Sequence, residues 1–179
     1  PTPQPATPLH YRIEPADLHA HLFHVTLTIA QPAAQQRVAL PVWIPGSYLV
    51  REFAKNLQNL RATQGRRSVL VQQLDKATWQ VDATPGKPLV LSYAVYALDN
   101  SVRTAWLDAS RGFFNGTSLC LQVAGQETLP HTLELVSTRA TATWHVATGL
   151  PAVATNTRGF GSYMADDYDA LVDHPFELG

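Results

Sequence analysis

Mainly β, an antiparallel β-sandwich or barrel-like domain with one short C-terminal helix, is the fold class this sequence predicts. Three observations predict it. Apolar and polar residues alternate in short runs that recur roughly every 8–12 residues. Gly- and Pro-bearing turns separate those runs. Only one stretch, Ala165–Asp173, carries helical start and stop signals.

Each element follows from its own residues. Pro1–Pro8 holds four prolines and reads as an extended leader, so residues 1–9 are set apart from the domain proper. His10–Glu14 is the first strand. In Leu18–Ala30, Phe23, Val25, Leu27 and Ile29 share one face and His24, Thr26 and Thr28 the other, the pattern of a half-buried strand. Val38, Leu40 and Val42 make the inner face of a third strand. A proline corner follows. Pro41 and Pro45 each fix φ near about −65° and remove a donor, and Pro45-Gly46 is a turn signal.

Lys55–Gln64 fits a short strand or irregular chain, and Gly65–Arg67 a tight turn. Val69–Leu74 and Thr78–Asp82 read as strands, the second with Trp79 and Val81 on one side. After the turn at Thr84–Pro88, Leu89–Leu98 is apolar on both faces, which predicts a central strand covered on both sides. Val102–Leu107 is extended. Asn115-Gly116 predicts a type I′ hairpin turn, because both central residues of that turn need positive φ. Leu119, Leu121 and Val123 alternate, as do Leu133 and Leu135, then Trp144 and Val146. The helix would start at Asp166 or Asp167 and stop at His174-Pro175.

The bulk numbers exclude several function classes. The 179 residues, 45% hydrophobic and 15% charged, make a globular chain with a genuine core. A net charge of −1 leaves no electrostatic footprint for nucleic acid or an anionic membrane. No apolar run approaches the roughly 18 residues of a membrane helix. Cys120 is the single cysteine, so no internal disulfide exists and a cytoplasmic setting is favoured over a secreted one.

Few residues announce chemistry. Asp17-x-His19-x-His21 would put three potential metal ligands on one face of a strand. The histidines share parity with Phe23 and Val25, however, so neutral, hydrogen-bonded histidine is the expectation, with no metal held here. Asp166, Asp167, Asp169, Asp173 and Glu177 fail the EF-hand spacing and read as carboxylates at the positive end of a short helix. Asn115-Gly116-Thr117 is also a glycosylation sequon, and Arg111, Phe113 and Phe114 beside it could form a recognition tip. There is no G-x-S-x-G elbow, no Walker A loop and no H-E-x-x-H.

Several stretches together carry a resemblance. Leu40-Pro-Val-Trp-Ile-Pro-Gly-Ser-Tyr48 with Arg51-Glu-Phe53 is one. Asp75-Lys76-x-x-Trp79, Arg103-Thr-Ala-Trp106 and Gly112-Phe-Phe-Asn-Gly-Thr-Ser118 are others, and Asp167-Tyr-Asp-Ala-Leu-Val-Asp-His-Pro-Phe-Glu-Leu-Gly179 closes the chain. These stretches resemble the N-terminal domain of the glycyl aminopeptidase family of zinc metallopeptidases. The resemblance implies a β-sandwich-like domain over residues 10–165, with 166–179 a short helix and linker into an absent catalytic domain.

That second domain would hold the zinc and cleave small N-terminal residues from peptides. No catalytic residue and no cofactor falls to this fragment, which is expected to be inactive alone. Its partners would be its own catalytic domain and the peptide substrate, with no nucleic acid and no membrane. Tyr48, Arg51, Arg103, Phe113, Phe114, Asn115 and Gly116 are the candidates for the substrate cleft or the interdomain face; for each singly, fold maintenance is the competing role. The alternative is a stand-alone β-sandwich ligand-binding module, for example one that binds carbohydrate through Trp43, Tyr48 or Trp106.

Overall fold

The computed structural model describes residues 7–42, 52–101 and 103–179. Within them the chain forms β1 (Leu9–Asp17), β2 (Leu22–Ile29), β3 (Gln35–Ala39), β4 (Leu57–Gln64), β5 (Arg67–Val69), β6 (Val71–Gln73), β7 (Thr78–Asp82) and β8 (Leu89–Tyr96). Next come β9 (Ala105–Leu107), β10 (Gly112–Phe114), helix α1 (Gly116–Leu119), β11 (Gln122–Val123), β12 (His131–Leu135) and β13 (Val146–Thr148). The last elements are β14 (Ala152–Thr155), β15 (Gly161–Ala165), helix α2 (Tyr168–Val172) and β16 (Phe176–Leu178).

Three open sheets result. The largest runs β14-β15-β12-β1-β2-β8-β4-β5, and the two four-stranded sheets run β13-β16-β10-β9 and β11-β3-β7-β6. Alternation decides what they bury. Tyr11, Val25, Leu27, Leu91 and Tyr93 line one face of the large sheet in direct register. That face closes a single core with Val38, Leu40, Trp79 and Val81 from one small sheet and Leu107, Phe114, Phe176 and Leu178 from the other. The arrangement is a sandwich and not a barrel.

Several expectations need correction. β1 and β12 pair in parallel, Leu9 opposite His131 through Ile13 opposite Leu135. The chain builds one small sheet and half of the other between these strands, and a connection that long does not impose the hairpin's antiparallel direction. β8 is central, between β2 and β4, but covered on one side only: Val90, Ser92 and Ala94 are half-buried and Tyr96 is exposed. The stretch Val69–Leu74 divides at Leu70, because β5 pairs with β4 in the large sheet and β6 with β7 in a small one.

Leu18–His21 is a turn rather than strand. Asp17 accepts from the backbone N–H groups of His19 (3.0 Å) and Ala20 (2.9 Å), and His21 takes φ 59°. The two histidines therefore share no strand face, and His21 bonds through Nδ1 to the Leu107 carbonyl. The helix near the C-terminus is α2, with Asp167 as its N-cap accepting from the Ala170 N–H at 2.7 Å. Residues 166–179, read in the sequence as helix and linker, also contain β16, which pairs with β10 and β13.

No hairpin turn forms at Asn115-Gly116. Asn115 is extended, at φ −96° and ψ 140°, and caps α1. Leu119, Cys120 and Leu121 accordingly do not alternate in a strand; all three are fully buried. Buried, non-repetitive backbone must find partners, and three tyrosines supply them. The hydroxyls of Tyr93, Tyr168 and Tyr11 donate to the carbonyls of Leu119 (2.6 Å), Cys120 (2.7 Å) and Leu121 (2.6 Å). Burial pushes all three phenols above their ordinary range, so they stay protonated donors. His131 lies between two of them, its ring centroid 5.9 Å from Tyr11 and 5.8 Å from Tyr168.

Candidate functional site

Two of the sequence candidates, Phe113 and Phe114, lie on the sheet β13-β16-β10-β9. Its centre is the β9–β10 hairpin, which aligns Phe113 with Trp106 and Phe114 with Ala105. Adjacent side chains on a strand point to opposite sides, so the two phenylalanines part company. Phe114 is buried in the core, stacked on Phe176 at 5.0 Å and edge-on to Phe23 at 5.4 Å. Phe113 is half-buried on the outward face beside Trp106.

The loop joining these strands is tied by one carboxylate. Asp108 accepts from the Ser110 hydroxyl (2.7 Å) and from the backbone N–H groups of Ser110 (2.7 Å) and Arg111 (2.9 Å). It also accepts from the Trp106 indole N–H at 3.0 Å. These four donors, the Ser110 hydroxyl first, hold its carboxyl well below the usual carboxylate range. Arg111 lies over the Trp106 ring, 5.6 Å from its centroid. The same guanidinium donates to Asn100 Oδ1 at 2.7 Å and approaches Glu177 at 3.8 Å. Together with Phe113 these side chains line a shallow groove of about 110 Å³.

The other candidates fall elsewhere. Asn115 Oδ1 accepts from the Thr117 N–H (3.2 Å) and hydroxyl (3.0 Å), so its amide oxygen caps α1. Gly116 is buried where α1 meets α2; a Cβ there would come within 3.1 Å of Val172 Cα. Arg103 is exposed, with its backbone N–H on Ser101 Oγ at 3.3 Å. Tyr48 and Arg51, with Trp43 and the proline corner, lie outside the described residues. Sequence reasoning missed Asp108 and Leu98. The signal for Asp108 was local: an aspartate two residues before a serine, between two extended runs, is an Asx-turn pattern.

Among the described residues, no group of three or more His, Cys, Asp or Glu side chains is placed to hold a metal ion. Zinc therefore does not fit these residues. No described helix is long and apolar enough to cross a membrane.

Comparison with known proteins follows the same lines. A family model described as the peptidase M61 N-terminal domain matches residues 10–179. The crystal structure of an aminopeptidase N family protein from Idiomarina loihiensis superposes with a TM-score of 0.93 at 47% identity. The match covers 96% of this chain and 29% of that one, so the chain spans under a third of this relative. A mutant M1 zinc metallopeptidase from Deinococcus radiodurans, bound to a Tyr-Ser-Ala substrate, gives 0.50 at 14% identity, over 95% of this chain and 41% of its own. Yeast LTA4 hydrolase gives 0.51 at 9%, over 97% and 28%. These last two share the fold alone. No curated protein matches the chain.

Proposed function

The chain belongs to the peptidase M61 family, whose N-terminal domain it comprises, and from that membership we propose that it serves a zinc-dependent aminopeptidase as a non-catalytic β domain. The observation that carries this reading is the 47% identity to less than a third of an aminopeptidase N family protein. The remaining length of such an enzyme is where zinc and the hydrolytic residues belong, since the donor sets described above do not fit the metal.

The domain's own part is shape. An aminopeptidase must hold a free α-amine and exclude longer extensions beyond it, and a β domain packed at the cleft supplies that wall. Phe113, Arg103 and Asn115 are the described residues we place toward the cleft or the neighbouring domain, with Tyr48 and Arg51 as further candidates. Phe114 and Gly116 hold the wall from inside, through the contacts already given. The preferred substrate is a peptide with a small N-terminal residue such as glycine or alanine.

The test compares the full-length enzyme with residues 1–179 on a chromogenic glycyl substrate, with and without a chelator. Activity is expected from the full-length chain alone and is lost on chelation. Turnover by residues 1–179 alone would overturn the proposal. Arg103→Ala and Asn115→Ala in the full-length enzyme then separate cleft from scaffold. A severalfold fall in kcat/KM at unchanged Tm places the residue at the cleft, whereas a lowered Tm with unchanged kinetics makes it structural.

A further inference from the structure

We infer that the outward face of the β13-β16-β10-β9 sheet, extended by Leu98, is a docking surface covered by the polypeptide that follows Gly179 in the longer enzyme. This deepens the reading above and rests on its further domain. The register sets one row of outward side chains: Ala147 opposite Glu177, Glu177 opposite Phe113, Phe113 opposite Trp106. An isolated bridge then brings Leu98 opposite Trp106. Leu98 is 40% exposed and Tyr96, two residues before it, 38%. Leu98, Trp106 and Phe113 are thus successive neighbours in one outward row, with Trp106 and Phe113 half-buried.

The other outward faces differ. The large sheet presents Arg12, Glu14, His24 and Thr26, and the β11-β3-β7-β6 sheet presents Arg37, Gln72 and Gln80. The β11-β3-β7-β6 side also exposes Leu70 and Leu74, but the Leu98–Trp106–Phe113 row is the one carried by the sheet that ends at Leu178, and it gains from being covered. The Arg111–Glu177 pair and Asn100 border it, giving the polar rim and apolar centre of a protein interface. Asp108 and Arg111 already hold Trp106, so docking costs little side-chain freedom.

The occupant follows from where the chain runs. Gly179 exchanges both backbone hydrogen bonds with His145, at 2.8 and 3.1 Å, and a Cβ on it would touch Ser110 and Arg111. Polypeptide continuing from Gly179 therefore starts at the border of this face. The Idiomarina protein has more than two thirds of its length outside the matched part, ample material for the cover.

The experiment uses the full-length enzyme carrying Leu98→Cys or, as the open reference, Leu70→Cys, since Leu70 is 74% exposed. Each is labelled under native conditions with an uncharged maleimide and read by peptide mass spectrometry. The thiol at position 98 is expected to react at least about tenfold more slowly than that at 70, at a rate independent of protein concentration. Equal rates overturn the inference. Protection that fades on dilution assigns the face to a second copy and overturns it too. If Leu98→Cys fails to fold, Tyr96→Cys gives the same readout. Chelator-sensitive glycyl hydrolysis, measured on the same samples, separates the two readings. Activity with fast labelling removes the surface alone; protection without activity removes the aminopeptidase and keeps the surface.

Discussion

Tyr93→Phe is the sharpest test of how this core is held. The substitution deletes one oxygen and leaves the ring in place, so packing is kept and only hydrogen bonding changes. That oxygen donates to the Leu119 carbonyl at 2.6 Å and accepts from the Leu121 N–H at 3.3 Å, both fully buried. Leaving a buried polar group unpaired costs about 1–3 kcal/mol, and the longer bond belongs at the low end. The two losses together come to about 2–4 kcal/mol. For a chain of this size each kcal/mol moves Tm by about 2–4 °C, so a fall of roughly 4–16 °C is expected. Tyr168→Phe loses the single bond to the Cys120 carbonyl and should fall by about half as much. Tyr96→Phe, on the exposed side of β8, should stay within about 0.5 kcal/mol of the parent. Urea and thermal unfolding of the three variants check the order. If Tyr93→Phe and Tyr168→Phe both matched Tyr96→Phe, the tyrosine hydroxyls would not be what satisfies residues 119–121.

Three further outcomes are expected. Burial pushes the His131 pKa below its ordinary value. The folded state thus favours the neutral ring, and stability is full above the unfolded value of about 6.5 and lost as pH falls through it. Tyr11, Tyr168 and the Leu129 carbonyl face the ring, with Asp167 and Glu127 pulling weakly the other way. Melting curves at pH 7, 6 and 5 should decline for the parent and stay flatter for His131→Phe. Asp108 is depressed, so its contribution is present above about pH 4 and lost as pH falls below it. Asp108→Asn should therefore be less stable than the parent at pH 7, and the gap should close on strong acidification. Gly161 sits at φ 141°, where a Cβ would lie 2.1 Å from the Ala154 carbonyl oxygen. Gly161→Ala should free β14 from β15 at a cost of about 1–3 kcal/mol, seen as faster hydrogen exchange over 152–155.

Strands whose burial the sequence pattern alone decides were legible in it. β2 and β7 alternate cleanly, and the faces read from Phe23–Ile29 and from Trp79 and Val81 are the ones buried. The helix at 168–172 was legible too, because Asp167 and Pro175 punctuate it. What failed depended on distant partners. β14 is exposed throughout and β15 lacks strong alternation, so only their mutual pairing and that with β12 makes them strands. The parallel β1–β12 pair is set by where the chain returns, which no local pattern records.

The segment 112–120 shows why the site was half visible. An Asn-Gly between apolar runs is a hairpin signal only if the chain reverses there, and here a helix partner overrules it. Gly116 is needed because a Cβ there would come within 3.1 Å of Val172 Cα in α2, not because its φ is positive. Once the chain bends into α1 instead of reversing, Leu119–Leu121 enters the core as bare backbone, and the tyrosines become obligatory. The same bend leaves β10 as a three-residue strand that keeps Phe114 in the core and turns Phe113 outward beside Trp106. Two adjacent phenylalanines that look alike in sequence thus divide the labour. One anchors the sandwich, and the other belongs to the face proposed to meet the rest of the enzyme.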